Sequence, residues 1–499
     1  MHRIIWYVIL NVAFSLAVAI AALSGSTYGV HPLYVILLFA LCTSFVVNIR
    51  HWNDRYALLA LFSAVYFEFY GVIDVEQLFG LYPALSAAST TGVLSTAELV
   101  ILCGGALAQI GYRLACRYRL PPDPRARADW SESSLLTMGL PLFVICTALN
   151  WVTHVYLFPT NDSATEAAEL AKIGNLGMLV LTFADMLQPL SMLLIFYALC
   201  VYRRRILLPI ALAVVVVQAI YGFVIDVKGE VLLGGVLMMF TKIFVDGRLP
   251  KLWLLSFAVC IALLFPALQA NRVVRGESNI DHTQAASNIL QTFEQAYAAR
   301  KDVTTGENRT QSFFERSSLK GSVEMIVAGT GTRAPYQHGY TLSPMIAAFI
   351  PKVIWPNKPD VPVGRLLNEQ FHVTDDPDTY ISPSHLGELY WNFGWSGIVA
   401  GMSAIGLLLG CVGARCDLSA SVTLTRTLIV AVTTQLLILG FESSISNQYV
   451  VWARVMLAVA VLHLIFVRRV PGSESFASDS PAPLATTAAV ARPIPNLMT

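Results

Sequence analysis

Residues 203–230 read RRRILLPIALAVVVVQAIYGFVIDVKGE. Three arginines open the stretch, and Asp226, Lys228 and Glu230 close it, with no formal charge between Arg205 and Asp226. As a helix rising about 1.5 Å per residue, the neutral interval spans about 30 Å, the thickness of a bilayer's hydrocarbon core. The pattern recurs. Apolar segments fall at 4–23, 32–49, 56–73, 93–115, 135–157, 176–201, 206–225, 229–245, 252–270, 397–414, 427–441 and 450–467. Their runs are continuous rather than alternating, which excludes a β-barrel. Only 13% of the 499 residues are charged, against about 25% in soluble domains. The expected fold is an all-α polytopic membrane protein with twelve spans. The first span, after Met1-His2-Arg3, reads as a signal anchor.

Basic residues gather in alternate loops: Arg50 and Arg55, Arg113 to Arg127, Arg203 to Arg205, Arg248 and Lys251, Arg415 and Arg426, and Arg468-Arg469. Short basic loops face the cytoplasm. Both termini are then inside, and the opposite loops, with Asp74 and Glu76 or Asp162, Glu166 and Glu169, lie outside. The net charge of +1 indicates no partner because charge is segregated by side, and no nucleic-acid partner is expected. The chain divides into an N-terminal bundle (1–270), a polar loop (271–395), C-terminal helices (396–469) and a tail (470–499) rich in Pro, Ala and Ser and expected to be disordered. The eight cysteines all avoid the loop, so disulfides do not hold it. No Cys/His cluster suggests a metal and no Walker motif suggests ATP.

A chain this apolar has few places for polar chemistry, and the 271–395 loop is the main one. It is expected to close over the outer end of the bundle as an active site. Residues 281–320 read as helical, and Tyr340 to Trp355, broken by Pro344 and Pro351, as a re-entrant or interfacial piece. Five constellations stand out. Asp226 to Glu230 form a tight outer turn, for which Gly229 gives freedom; the alternative is an ordinary interfacial hairpin with a snorkelling Lys228. Arg272 and Arg275 lie where positive charge is normally avoided, and a guanidinium fork matches phosphate oxygens; the alternative is pairing with Glu277 or lipid headgroups. Arg316 and Lys320 precede Gly329 to Thr332, with Arg333 and His338 following; a plain helix surface and turn is the alternative. Ile350 to Pro359 is a stiff Pro- and Trp-rich segment in which Lys358 can face a phosphate, or which serves only as an anchor. His385 and Glu388, spaced i, i+3, share one helix face and suit proton transfer from a hydroxyl; a capped helix start with a solvated Glu388 is the alternative. Asp375, Asp376 and Asp378 read as a polar turn before a cation site.

With Lys228-Gly229 in an outer hairpin, Arg316 early in the loop, GYTL (339–342), IPKVIWPNKP (350–359) and GELYWNFGWSG (387–397), the chain resembles bacterial polysaccharide repeat-unit polymerases of the Wzy type and, more distantly, O-antigen ligases. The resemblance covers the topology and residues 225 to 415. It departs from the ligases, where His is followed by Asn: here Leu386 follows His385. What it implies is a GT-C-like membrane glycosyltransferase in a bacterial inner membrane, with the loop periplasmic. It would transfer a glycan from undecaprenyl pyrophosphate to a hydroxyl of another lipid-linked repeat unit, with inversion and without cofactor or metal. His385 or Glu388 would take the proton. Lys228, Arg272, Arg275, Arg316 and Lys358 would face the pyrophosphate, and Glu230, Arg333 and His338 other parts of the substrate. A chain-length regulator and a flippase are the implied partners, beside the lipid bilayer. A ligase, or a polysaccharide or lipid transporter, is the alternative.

Overall fold

The computed structural model describes residues 2–23, 30–46, 49, 51–79, 94–117, 132–158, 163–278, 281–305, 318–347, 350, 355, 361–376, 379–419 and 422–466. These are helical throughout apart from turns and one isolated bridge between Thr330 and Ala334. The bundle begins with α1 (His2–Leu23), α2 (Pro32–Val46), α3 (Ala57–Leu78), α4 (Thr96–Arg117) and α5 (Glu132–Leu157, its last turn a π-helix over Val152–Leu157). Then come α6 (Ser163–Tyr202), α7 (Leu207–Val224), α8 (Lys228–Asp246) and α9 (Lys251–Ser278). The loop contributes α10 (His282–Ser287), α11 (Ile289–Thr305), α12 (Lys320–Gly329), α13 (Ser343–Ala347), α14 (Val363–Phe371) and α15 (Ser384–Phe393). Three further helices follow: α16 (Trp395–Arg415), α17 (Leu424–Glu442, with a π turn over Thr434–Ile438) and α18 (Ile445–Phe466).

Each of the twelve expected segments overlaps a helix, and among the described residues ten helices are long and apolar enough to cross a membrane. The two others differ for visible reasons. The apolar part of α2, Pro32–Thr43, is short, and α8 carries Lys228, Glu230, Lys242 and Asp246. Apolar side chains point outward as well as inward: Leu252 is 77% exposed, Leu464 80% and Leu457 67%. Water would not leave such a surface bare, whereas lipid tails cover it. This is a multi-pass membrane protein.

The helix ends sort into two sets. At one, the Trp52 N–H donates to the Gly247 carbonyl (2.9 Å), the Tyr112 hydroxyl donates to the Arg55 carbonyl (2.5 Å), and Arg203 and Arg204 pair with Asp246 and Glu132 (3.0 and 2.9 Å). The basic loops therefore meet each other. At the other end the loop helices dock. Leu319 N–H donates to Phe69 O (2.9 Å), and Lys320 Nζ lies 2.7 Å from Asp74 Oδ2 and 3.6 Å from Glu98 Oε1, over the Tyr34 ring. Burial works against the Lys320 charge, but Asp74 and Glu324 outweigh it and hold the ammonium above its ordinary pKa. Glu98 also closes a capping box with Ser95 at the start of α4.

Helices α4 and α16 approach closely because small residues line their contact. A Cβ at Gly406 would collide with the Ala108 carbonyl, one at Gly410 with Tyr112, and one at Gly111 with Ser403 of α16. Gly406 and Gly410 form a GxxxG pair, the packing device of apolar helices in lipid. We expect Gly406→Val to force α4 and α16 apart and to destabilise the protein by about 1–3 kcal/mol, read as a lower melting temperature in detergent. Lys320→Met should cost about 3–5 kcal/mol by stranding buried carboxylates, and adding Asp74→Asn should recover much of it.

Candidate functional site

The helix pair α7–α8 turns at Asp226, whose φ is +56°, a conformation an aspartate tolerates. The freedom expected at Gly229 is not what the turn uses: Gly229 lies in the first turn of α8, and a Cβ there would meet nothing. The close approach is at Gly222, where a Cβ would strike the backbone at Glu230 and Val231. Two residues near the C-terminal end of α9 brace the turn. Asn271 Nδ2 donates to Asp226 Oδ1 (2.9 Å). The Arg275 guanidinium donates to the Val224 carbonyl (2.7 Å), capping the C-terminus of α7. The sequence constellations at 226–230 and 271–275 are thus one structure. Lys228 sits over the Phe265 ring at 5.6 Å.

Beside this turn lies a cavity of about 490 Å³, bounded by α5, α6, α7, α8, α10, α17 and α18. Its walls are helices with local irregularities. His154 belongs to the π turn of α5 and Gln435 to that of α17, and π turns recur at functional sites. Pro189, inside α6, has no N–H for the carbonyl of Asp185 one turn earlier. Asn150, Gln188 and Glu230 make a polar band in a lining that also holds His154, Asp185, His282 and Gln435 among apolar side chains such as Leu190, Leu233 and Val455.

That band is a directed chain of hydrogen bonds. Asn150 Nδ2 donates to Gln188 Oε1 (2.6 Å), Gln188 Nε2 to Gln218 Oε1 (2.8 Å), and Gln218 Nε2 to Glu230 Oε2 (2.7 Å). His154 Nε2 and Asp185 Oδ1 are 3.9 Å apart at the rim. His282 docks α10 onto the end of α5: its Nδ1 faces two carbonyls, His154 O at 2.8 Å and Phe158 O at 3.1 Å. Both are acceptors, so Nδ1 carries the proton and Nε2 keeps its lone pair. Burial lowers the pKa of His282, favouring this neutral form.

His385 and Glu388 share a face of α15, as their spacing predicts, but neither lines the cavity. Both are fully buried. Glu388 is a bracket: Oε1 accepts from the Thr341 hydroxyl (2.7 Å) and Oε2 from the Ile445 N–H at the start of α18 (2.6 Å). Asn392, one turn on, donates to Thr341 Oγ1 (2.7 Å) and accepts from Gly339 N–H (2.8 Å). The alternative of a solvated Glu388 is not found. The His385 ring packs edge-on to Phe441 at 4.6 Å and beside Tyr449 at 5.5 Å. Neither ring nitrogen has a hydrogen-bond partner, and burial pushes its pKa down to about 3.

Arg333 and His338 are exposed. His338 N–H donates to Asn392 O (3.2 Å), holding the 336–342 turn on α15. Asp376 organises a polar turn, accepting from Asn368 and Thr379. Arg316, Lys358, Asp378 and the 470–499 tail lie outside the described residues, as do the Arg272 side chain and most of 348–360. Among the described residues no three His, Cys, Asp or Glu side chains are grouped to hold a metal ion. Sequence reasoning missed Asn150, His154, Gln188, Gln218, His282 and Gln435. The available signal was the amides and imidazoles inside or beside apolar spans, which lipid disfavours unless they face the interior.

The family described as "Domain of unknown function (DUF8712)" matches residues 160–470, and the chain belongs to it. The match includes every cavity wall except α5. No curated protein and no solved structure matches the chain.

Burial outweighs the bonds from Thr341 and Ile445 and pushes the Glu388 carboxyl up to about 7. A raised folded-state pKa favours the protonated fold. Its stability contribution is complete below the unfolded pKa near 4.5 and is lost as pH rises through about 7. Over that window the wild type should lose on the order of 3 kcal/mol. Glu388→Gln should start lower, since an amide nitrogen cannot accept from Ile445 or Thr341, and should show a flatter profile. Thermal unfolding between pH 4 and 8 measures both.

Proposed function

We propose that this membrane protein, a member of a family without assigned function, is a GT-C-like glycosyltransferase. It moves a glycan from a polyprenyl diphosphate to a hydroxyl of a second lipid-linked repeat unit. In this reading the loop end faces the periplasm of a bacterial inner membrane and the basic end the cytoplasm, as the distribution of Lys and Arg supports. The observation that carries the reading is a juxtaposition. The turn at 225–230 supplies Ile225, Val227 and Glu230 to the cavity wall, while Lys228 and the bracing Arg275 belong to the same small region. Cations beside a polar cavity at the end of an apolar bundle suit a donor whose diphosphate stays at the surface and whose tail stays in lipid.

The reaction is one displacement. The acceptor oxygen attacks the anomeric carbon, the bond from that carbon to the diphosphate oxygen breaks, and the diphosphate leaves with the electron pair. Cations there stabilise the departing charge more than the ground state. The acceptor's proton goes to a neutral base. Glu388, with both oxygens taken, and His385, away from the cavity, serve this less well than His282, a cavity-lining imidazole with Nε2 as its acceptor. We therefore assign proton transfer to His282 and an architectural role to α15.

Purified protein in proteoliposomes should extend lipid-linked repeat units extracted from cells lacking this gene, giving a ladder on gels. Lys228→Ala should slow extension by on the order of 10²-fold. Wild-type protein that leaves the single unit unextended would refute the reading.

A further inference from the structure

Asn150 Oδ1 is a buried acceptor with no hydrogen-bond partner, in a residue only 2% exposed that lines the cavity. Its orientation is not arbitrary. Gln218 Nε2 faces the backbone carbonyl of Glu230 (3.4 Å) as well as its side-chain Oε2 (2.7 Å), and a carbonyl only accepts, so Gln218 presents its nitrogen there and its own oxygen to Gln188. Gln188 uses its two N–H bonds on Gln218 and on Thr147 Oγ1 (3.1 Å), so its own oxygen faces Asn150. Asn150 must answer with Nδ2, which leaves Oδ1 as the open end. Flipping Asn150 would set oxygen against oxygen at 2.6 Å. Glu230 at one end of the chain thus points an amide acceptor at the other, and every link polarises the next.

A buried acceptor left alone costs about 1–3 kcal/mol, and the group that relieves it must be a donor. The rest of the lining narrows the donor. Glu230 and Asp185 both line the cavity, which opposes an anion, so the diphosphate is not the occupant. Apolar walls with an aromatic side, Tyr221 and Phe158, suit the faces of a pyranose ring, with hydroxyls meeting the amides.

Resting on the glycosyltransferase reading, we infer that this cavity is the acceptor-sugar subsite, in which Asn150 Oδ1 accepts a hydrogen bond from one sugar hydroxyl and so orients the ring. The ligand class is a neutral, hydroxyl-bearing sugar. Asn150 is a positioning and specificity residue, turned toward the ligand by Gln188, Gln218 and Glu230.

The test is equilibrium binding to the full chain in nanodiscs. The probes are the glycan released from the lipid-linked repeat unit and a deoxy series of methyl glycosides of its acceptor-end sugar. Wild-type protein should bind the glycan, and Asn150→Ala should weaken binding about tenfold. One deoxy glycoside should lose the same factor on the wild type and lose nothing more on Asn150→Ala. This comparison uses the wild-type fold for its main reading, so instability of the variant does not obscure it. Failure of the wild type to bind any of these sugars would overturn the subsite, as would an unchanged affinity across the deoxy series. Preferential binding of choline, a cationic probe, would also overturn it. The extension assay on the same samples separates the two claims. Extension without a deoxy effect keeps the polymerase and discards the subsite, whereas sugar binding with the deoxy effect but no extension keeps the subsite and discards the polymerase.

Discussion

A polar group drawn into an apolar bundle has to find its partner there, and this constraint decides how the loop sits on the helices. Lys320 is the clearest case. Its ammonium enters the space between Tyr34, Asp74 and Glu98, and its charge survives because carboxylates meet it. The other docking points follow the same rule with different groups. Glu388 takes the Ile445 N–H at the start of α18, Arg275 caps the end of α7, and His282 binds two carbonyls at the end of α5. Helix ends carry unsatisfied backbone groups. The loop supplies their partners, so it is tied to the bundle through the ends of the spans as well as through apolar side chains such as Val323, Ile326 and Leu386, which join the core of the bundle.

The same constraint shapes the cavity. Spans that stayed regular would turn their backbone polar groups inward and pack side chain against side chain. Around the cavity they do not. A π turn in α5, a proline in α6 and a π turn in α17 interrupt the regular ladder, and amides occupy the space that opens. Four of those polar side chains satisfy one another in sequence from Asn150 to Glu230. The arrangement separates two kinds of polar residue that look alike in a sequence. Glu388 and Asn392 hold architecture with their polar groups committed, whereas Asn150, in the cavity wall, keeps an acceptor without a partner.

Charge is therefore distributed by task. The basic end ties short loops together through Arg203, Arg204 and the carbonyl of Arg55. The loop end mixes paired charges, which hold, with the cavity's amides, imidazoles and carboxylates, which suit chemistry. In the proposed reaction, Lys228 attends the anion that leaves, and neutral groups attend the hydroxyl that attacks.

By itself the sequence determined the class of fold. Uncharged intervals such as 206–225 are long enough to cross a bilayer, and the alternation of basic and acidic loops sets which helix ends lie together. It also marked the turn at 226–230 and the face shared by His385 and Glu388. Both are local, set by spacing of a few residues, and spacing is what a sequence displays. Tertiary structure alone decided what those residues do. Whether a carboxylate is solvated or clamped depends on a hydroxyl 47 positions away and on an N–H 57 positions away in the opposite direction. The cavity draws its polar wall from four spans, each contributing one or two side chains that mean little alone. Hydrogen bonding inside an apolar bundle is pairwise and non-local, so no single stretch of the chain records it.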